Sequence, residues 1–124
     1  MRILSFQQNW INHITNKSKL SEPEFTTYRF PRKDRAWAVG EIVQVVYRTR
    51  SKDRVELGEA KIRAIQHNPN ISDYDAQQDG FEDRDAMMAF LQKNPKEKYG
   101  LPDKLILTWM YKYEGFNAFF GGKP

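Results

Sequence analysis

The stretch from Glu41 to Gln66 limits the folds open to this chain more than any other. Its first part, Glu41 to Thr49, carries Ile42, Val43, Val45, Val46 and Tyr47 almost without interruption. Such a density of β-branched and aromatic side chains predicts a strand buried on both faces. Ser51-Lys52-Asp53-Arg54 reads as a hairpin tip, and Val55 to Gln66 returns as a long strand. Along it Ala60, Ile62 and Ala64 alternate against Lys61, Arg63 and Ile65. Gly58 inside that strand predicts a bulge or bend of the kind barrels use to turn corners. A hairpin cannot bury its apolar face alone, so the remaining elements must wrap around it.

Those elements follow from local patterns. Arg2 to Phe6 reads as a short opening strand. Phe6, Trp10 and Ile14, with Ile11 beside them, recur at helical spacing and predict an amphipathic helix. Ser18 to Glu24, with Pro23, is a loop; Phe25 to Phe30 is a strand with Phe25, Thr27 and Arg29 on one face and Thr26, Tyr28 and Phe30 on the other. Residues 31–35 form a basic loop, and Trp37 to Glu41 a turn into the central hairpin. Asn68-Pro69-Asn70 ends the long strand. Ser72 then caps a short helix, with Asp75 completing a capping box, Ile71 placed for a hydrophobic staple and Gly80 stopping it. A further helix runs from about Arg84 to Lys93, with Met87, Phe90 and Leu91 as its buried face, and Asn94-Pro95 terminates it. After a charged loop from Lys96 to Lys104, Leu105 to Tyr113 alternates as a closing strand, and residues 116–124 form a tail whose Phe119-Phe120 pair must pack somewhere. The expected fold is α+β: one domain over residues 1–124, a small, mainly antiparallel barrel with three short helices at its side. Its core is expected to include Trp10, Ile14, Val43, Val45, Ile62, Phe90 and Leu107.

Composition removes several functions. With no cysteine, disulfides and thiolate metal sites are excluded, and His13 and His67 lie far apart in the chain, so no metal or other cofactor is expected. No apolar run approaches the ~20 residues of a membrane helix, and the N-terminus turns polar too soon for a signal peptide. A cytoplasmic setting with no membrane partner is the expectation. Charge is segregated: eight basic residues against three acidic from Tyr28 to Arg54, one basic against six acidic from Ile71 to Leu91. The first segment suits a polyanion and the second repels one.

Asp79 stands out for its position. It ends the short helix, where the macrodipole already places negative charge, so a carboxylate there is locally unfavourable and hints at a ligand. Arg29, Arg32, Lys33 and Arg35 interleave with Tyr28, Phe30 and Trp37, a mixture that suits single-stranded nucleic acid: cations meet phosphates and rings stack on bases. The chain has no G-x-G-x-x-G, phosphate-binding P-loop, G-x-S-x-G, C-x-x-C or H-E-x-x-H motif, which leaves nucleotide hydrolysis, zinc hydrolysis and the common serine hydrolase designs without support.

Several stretches, in order along nearly the whole chain, resemble the ASCH domain family of the PUA-like superfamily of small β-barrels. They are the opening segment with Trp10, Ile11 and Ile14; Thr26-Thr27-Tyr28-Arg29, similar to the family's Thr-x-Arg strand; Val39-Gly40-Glu41-Ile42-Val43-Gln44-Val45, similar to its Val-Gly-Asp strand entry; Gly58-Glu59-Ala60-Lys61-Ile62, similar to its next strand; Asp79-Gly80-Phe81 before an amphipathic helix; and the closing strand. The resemblance implies a PUA-like barrel that binds RNA or a modified nucleoside in a cleft between barrel and helices. Some bacterial relatives hydrolyse the amide of N4-acetylcytidine with a lysine, a threonine and a glutamate. Matched by position, the threonine is Thr27 and the acid is Asp79. Where the family has Gly-x-Lys-Thr leading directly into the strand, this chain has Asn16 and about seven further residues, and Glu24 stands at the lysine's aligned place. Lys17 or Lys19 would have to reach back over that loop.

Two functions from different classes therefore stay open, with a protein-interaction adaptor as a third. One is a binding module for RNA or a nucleoside, using Lys17, Thr26, Arg29, Arg32, Lys33 and Trp37, with Asp79 accepting from a base amino group. The other is a small amidohydrolase acting on an N4-acylated cytidine-like nucleoside, with Lys19, Thr27 and Asp79 as its catalytic group.

Overall fold

In a computed structural model the chain is described over residues 1–30, 35–92 and 102–120. The strands are β1 (Ile3–Phe6), β2 (Ile11–Asn12), β3 (Lys17–Ser18), β4 (Glu24–Arg29), β5 (Ile42–Tyr47), β6 (Val55–Gln66) and β7 (Asp103–Lys112). The helices are α1 (Asp73–Asp79), α2 (Arg84–Gln92) and α3 (Glu114–Phe119), with a single 3-10 turn at Lys19–Ser21.

Five strands form one sheet in the order β1-β5-β6-β7-β4. β1 lies parallel to β5 and every other pairing is antiparallel. The sheet curls around its own inner face, where Leu4, Phe6, Phe25, Val43, Val45, Leu57, Ile62, Leu105 and Leu107 are buried. Irregularities of register impose the curl. Val45 pairs with Gly58 but Val46 pairs with Glu56, so Leu57 is an extra residue on β6. A bulge of this kind bends and twists its strand. Gly58 is required there because a Cβ would stand 2.2 Å from the Tyr111 carbonyl oxygen. The curl brings the two edge strands together: Phe6 of β1 meets Phe25 of β4 edge-on at 6.1 Å, and an Arg29 Nη donates to the Ser5 carbonyl at 2.8 Å. The architecture is thus a mixed α+β fold on a barrel-like sheet, with α1 beside β4, α2 against α1 and α3 against β6. Tyr28, Ile71, Ala76 and Met87 form a second, smaller core under α1 and α2.

The expected N-terminal helix is not formed. Asn12 Oδ1 accepts from the N–H groups of Ile14 and Thr15, and Asn16 adopts a left-handed φ of 61°. The segment folds as the small β2–β3 hairpin. Asparagine side chains that bond nearby backbone compete with helix, and here they win. The apolar stripe was a coincidence of spacing: Phe6 ends β1, Trp10 is half-buried, and Ile11 and Ile14 are exposed. Ile14 and Phe90 therefore leave the expected core, whereas Val43, Val45, Ile62 and Leu107 are buried in it. Phe90 lies instead in a half-open aromatic group, 5.5 Å from Trp10 and 5.4 Å from Phe81 between ring centres. The expected tail begins as α3, where Phe116 is buried, Phe119 packs on Tyr47 and Phe120 on Phe116; residues 121–124 lie outside the described residues. Among the described residues no helix is long and apolar enough to cross a membrane.

Candidate functional site

Helix α1 carries the central carboxylate. At its start the Ser72 hydroxyl accepts from Asp75 N–H and the Asp75 carboxylate accepts from Ser72 N–H, the full capping box. At its end Gly80 takes φ 109°, and its N–H turns back to the Ala76 and Gln77 carbonyls. A Cβ on Gly80 would stand 2.8 Å from the Trp10 Cβ, so the glycine also lets the N-terminal segment lie directly on the helix end. That contact, with His13 N–H donating to the Gln77 carbonyl, fixes the β2–β3 hairpin beside Asp79.

From the hairpin the chain enters the 3-10 turn at Lys19, whose N–H bonds the Trp10 carbonyl at 2.9 Å. This points the Lys19 side chain inward. Its Nζ lies 2.8 Å from Asp79 Oδ1, and both residues are buried. Thr26 donates to the same oxygen at 3.2 Å. Strand alternation then divides the neighbours of β4. Thr26 and Tyr28 face α1, while Thr27 accepts from Arg29 Nε at 3.2 Å on the side of Phe6. The Phe6 ring has the Arg29 guanidinium 4.8 Å and the Lys19 ammonium 5.3 Å from its centre. Lys19, Thr26, Thr27, Arg29 and Asp79 thus gather where the barrel edge meets the end of α1.

Two cations share one carboxylate in a site removed from water. Burial lowers the Lys19 pKa, and the nearby Arg29 charge works in the same direction while Asp79 opposes it. Burial raises Asp79 against Lys19, Thr26 and Arg29, which hold it down. Burial brings Arg29 down to about 10, so it stays charged at neutral pH. The Asp79 carboxylate favours the Lys19 proton, and burial and the Arg29 charge work against it. A lysine of this kind can act as a base or nucleophile, which a solvated one cannot.

Comparisons with protein-family models, with curated proteins and with solved structures return no match to the chain.

The other expected site residues are scattered. Lys17 is exposed on β3, away from the buried pair, so of the two lysines considered Lys19 is the one that reaches Asp79. Trp37 is buried with the Arg2 guanidinium 4.2 Å above its ring, so it has no open face for a base to stack on. Arg32 and Lys33 lie outside the described residues. The threonine on Asp79 is Thr26, one position before the Thr27 expected from the family pattern. Among the described residues no group of three or more His, Asp or Glu is placed to hold a metal ion.

Sequence reasoning missed a second polar pair in the same seam. Asp75 lies one helical turn before Asp79, and its carboxylate is 3.5 Å from Lys104 Nζ. Lys104 stands directly across from Tyr28 in the pairing of β4 with β7. The i, i+4 spacing of the two aspartates was visible in the chain; the register that brings Lys104 to them was not.

Proposed function

We propose that this chain is an ASCH-like protein that binds a nucleoside, free or as part of single-stranded RNA, in the seam between the curled sheet and α1. The observation that carries the reading is the convergence of Lys19 and Thr26 on Asp79 at that seam, with Arg29 beside them on Thr27. In this reading Asp79 accepts from a base amino group, and Lys19 and the β4 hydroxyls orient a carbonyl.

A second reading is favoured by one observation, the buried Lys19 amine with its lowered pKa on the oxygen that also holds Thr26. It is hydrolysis of an N4-acylated cytidine-like nucleoside. Lys19, as the free amine, takes the proton of the threonine hydroxyl as its oxygen bonds to the acyl carbon. Thr26 takes the nucleophile's place from Thr27. The C–N bond breaks as N4 receives the proton from the Lys19 ammonium, and water splits the acyl ester to release the carboxylic acid and restore the hydroxyl.

Calorimetric titration with cytidine and N4-acetylcytidine, with chromatography of the mixture afterwards, tests both. Saturable binding without product supports the binding module. Release of cytidine and acetate, abolished in Lys19→Met, supports the hydrolase. Neither binding nor turnover removes both readings.

A further inference from the structure

The Tyr28 hydroxyl is buried and has no hydrogen-bond partner among the described residues. Burying a hydroxyl without a partner is unfavourable, so most such groups are satisfied, and an exception calls for a reason. Tyr28 lies on the face of β4 that turns toward α1, one alternation from Thr26, in the small core with Ile71, Ala76 and Met87. It feels the charges of both Asp75 and Asp79, which burial and repulsion combine to make it keep its proton. The hydroxyl is therefore a hydrogen-bond donor on the face of β4 that meets the helix carrying both aspartates. At the outer end of the seam Lys104 and Asp75 are partly exposed and 3.5 Å apart, the limit of a hydrogen bond, so this closing pair is weak. Asp79 is half-satisfied in a complementary way: among the described residues both of its hydrogen bonds fall on Oδ1, leaving Oδ2 as an acceptor.

We propose that Tyr28 is a specificity-determining residue of the seam, its hydroxyl donating to a ring carbonyl of the bound pyrimidine while Asp79 Oδ2 accepts from the exocyclic amino or amide N–H. The inference rests on the nucleoside reading above and narrows it. A donor in Tyr28 and an acceptor in Asp79 suit a base that carries an N–H and a carbonyl on one edge, as cytosine and its N4-acyl derivatives do and as adenine, which has no carbonyl, does not. Sites built to hydrogen-bond a polar group reject analogues lacking it far better than apolar pockets discriminate by shape. A ligand carbonyl would also supply the partner that Tyr28 lacks among the described residues.

The test uses the full chain with cytidine and 2-thiocytidine, whose sulfur accepts hydrogen bonds poorly. Wild type is expected to prefer cytidine by tenfold or more. Tyr28→Phe, which removes the hydroxyl and keeps the ring, is expected to bind cytidine at least tenfold more weakly, to lose the preference over the thio analogue, and to melt at the same or a higher temperature. Tyr74→Phe, at an exposed tyrosine of α1, is the control and should match wild type. Unchanged cytidine binding by Tyr28→Phe, or a retained preference over 2-thiocytidine, overturns the inference and leaves the nucleoside reading standing. A lowered melting temperature with unchanged affinity would assign the hydroxyl to a buried water instead. If wild type binds neither compound, the nucleoside reading fails and takes this one with it.

Discussion

Asp79 concentrates the costs of the fold in one side chain. Its carboxylate sits at a helix C-terminus, against the macrodipole, and is buried. Lys19 and Thr26 offset both penalties at a single oxygen. Removing one partner of a buried ion pair leaves an uncompensated charge, so Lys19→Met and Asp79→Asn should each cost about 3–5 kcal/mol. Replacing both together, as Lys19→Met with Asp79→Leu, should recover most of that loss, because an apolar pair of similar volume carries no desolvation penalty. Denaturant unfolding of the three variants checks this. The pH dependence follows from the same pair. The folded Lys19 pKa lies below 10.5, so the unfolded chain binds more protons between the two values and stability rises with pH through that window. The folded Asp79 pKa lies above 3.8, so there the folded chain binds more protons and stability falls as pH rises from 3.8 to the folded value. Both slopes should disappear in the double variant when unfolding midpoints are compared across pH.

Among the elements, α1 was the most legible from sequence and the N-terminal segment the least. Ser72, Asp75 and Gly80 act through their own backbone within a few residues, so cap chemistry alone fixed both ends of α1. The hairpin strands β5 and β6 were legible for the same reason, since alternation and Gly58 are local signals. The segment around Trp10 was misread because a stripe of three apolar residues outweighed four polar turn formers, Asn9, Asn12, Thr15 and Asn16. The loss of that helix is also why Lys19 reaches the site: the hairpin and 3-10 turn take up the extra residues before β4 and turn the lysine inward. Sequence could name Lys19, Thr26, Thr27, Arg29 and Asp79 as candidates. It could not say which of the two threonines bonds Asp79, because that depends on which face of β4 meets α1. Gly80→Ala probes the contact that holds this arrangement. The added methyl would meet Trp10 at 2.8 Å with φ at 109°, so the cost should be about 1–3 kcal/mol, and Trp10 fluorescence should shift as the ring is displaced.

At the scale of the whole molecule, charge follows the order of the elements. Six acidic residues against one basic lie in the stretch that holds α1 and α2, and eight basic against three acidic lie from Tyr28 of β4 to Arg54 before β6. RNA held by this protein should therefore lie along the basic segment and away from the helices, with only the nucleotide at the seam taken in. Neutralising Arg32 and Lys33 together should reduce the slope of log affinity against log salt by about 1.4, the equivalent of two single-strand phosphate contacts. Titration of a short single-stranded RNA at three salt concentrations measures it; an unchanged slope would separate these residues from the binding surface.

The claim on which the rest depends is that the Lys19–Asp79 seam receives a nucleoside. Amide NMR spectra of the wild-type protein titrated with N4-acetylcytidine test it most directly. The account predicts saturable shifts centred on Lys19, Thr26, Thr27, Asp79 and Gly80, and their loss in Lys19→Met. Shifts confined to the far face of the sheet, or none at millimolar nucleoside, would contradict it.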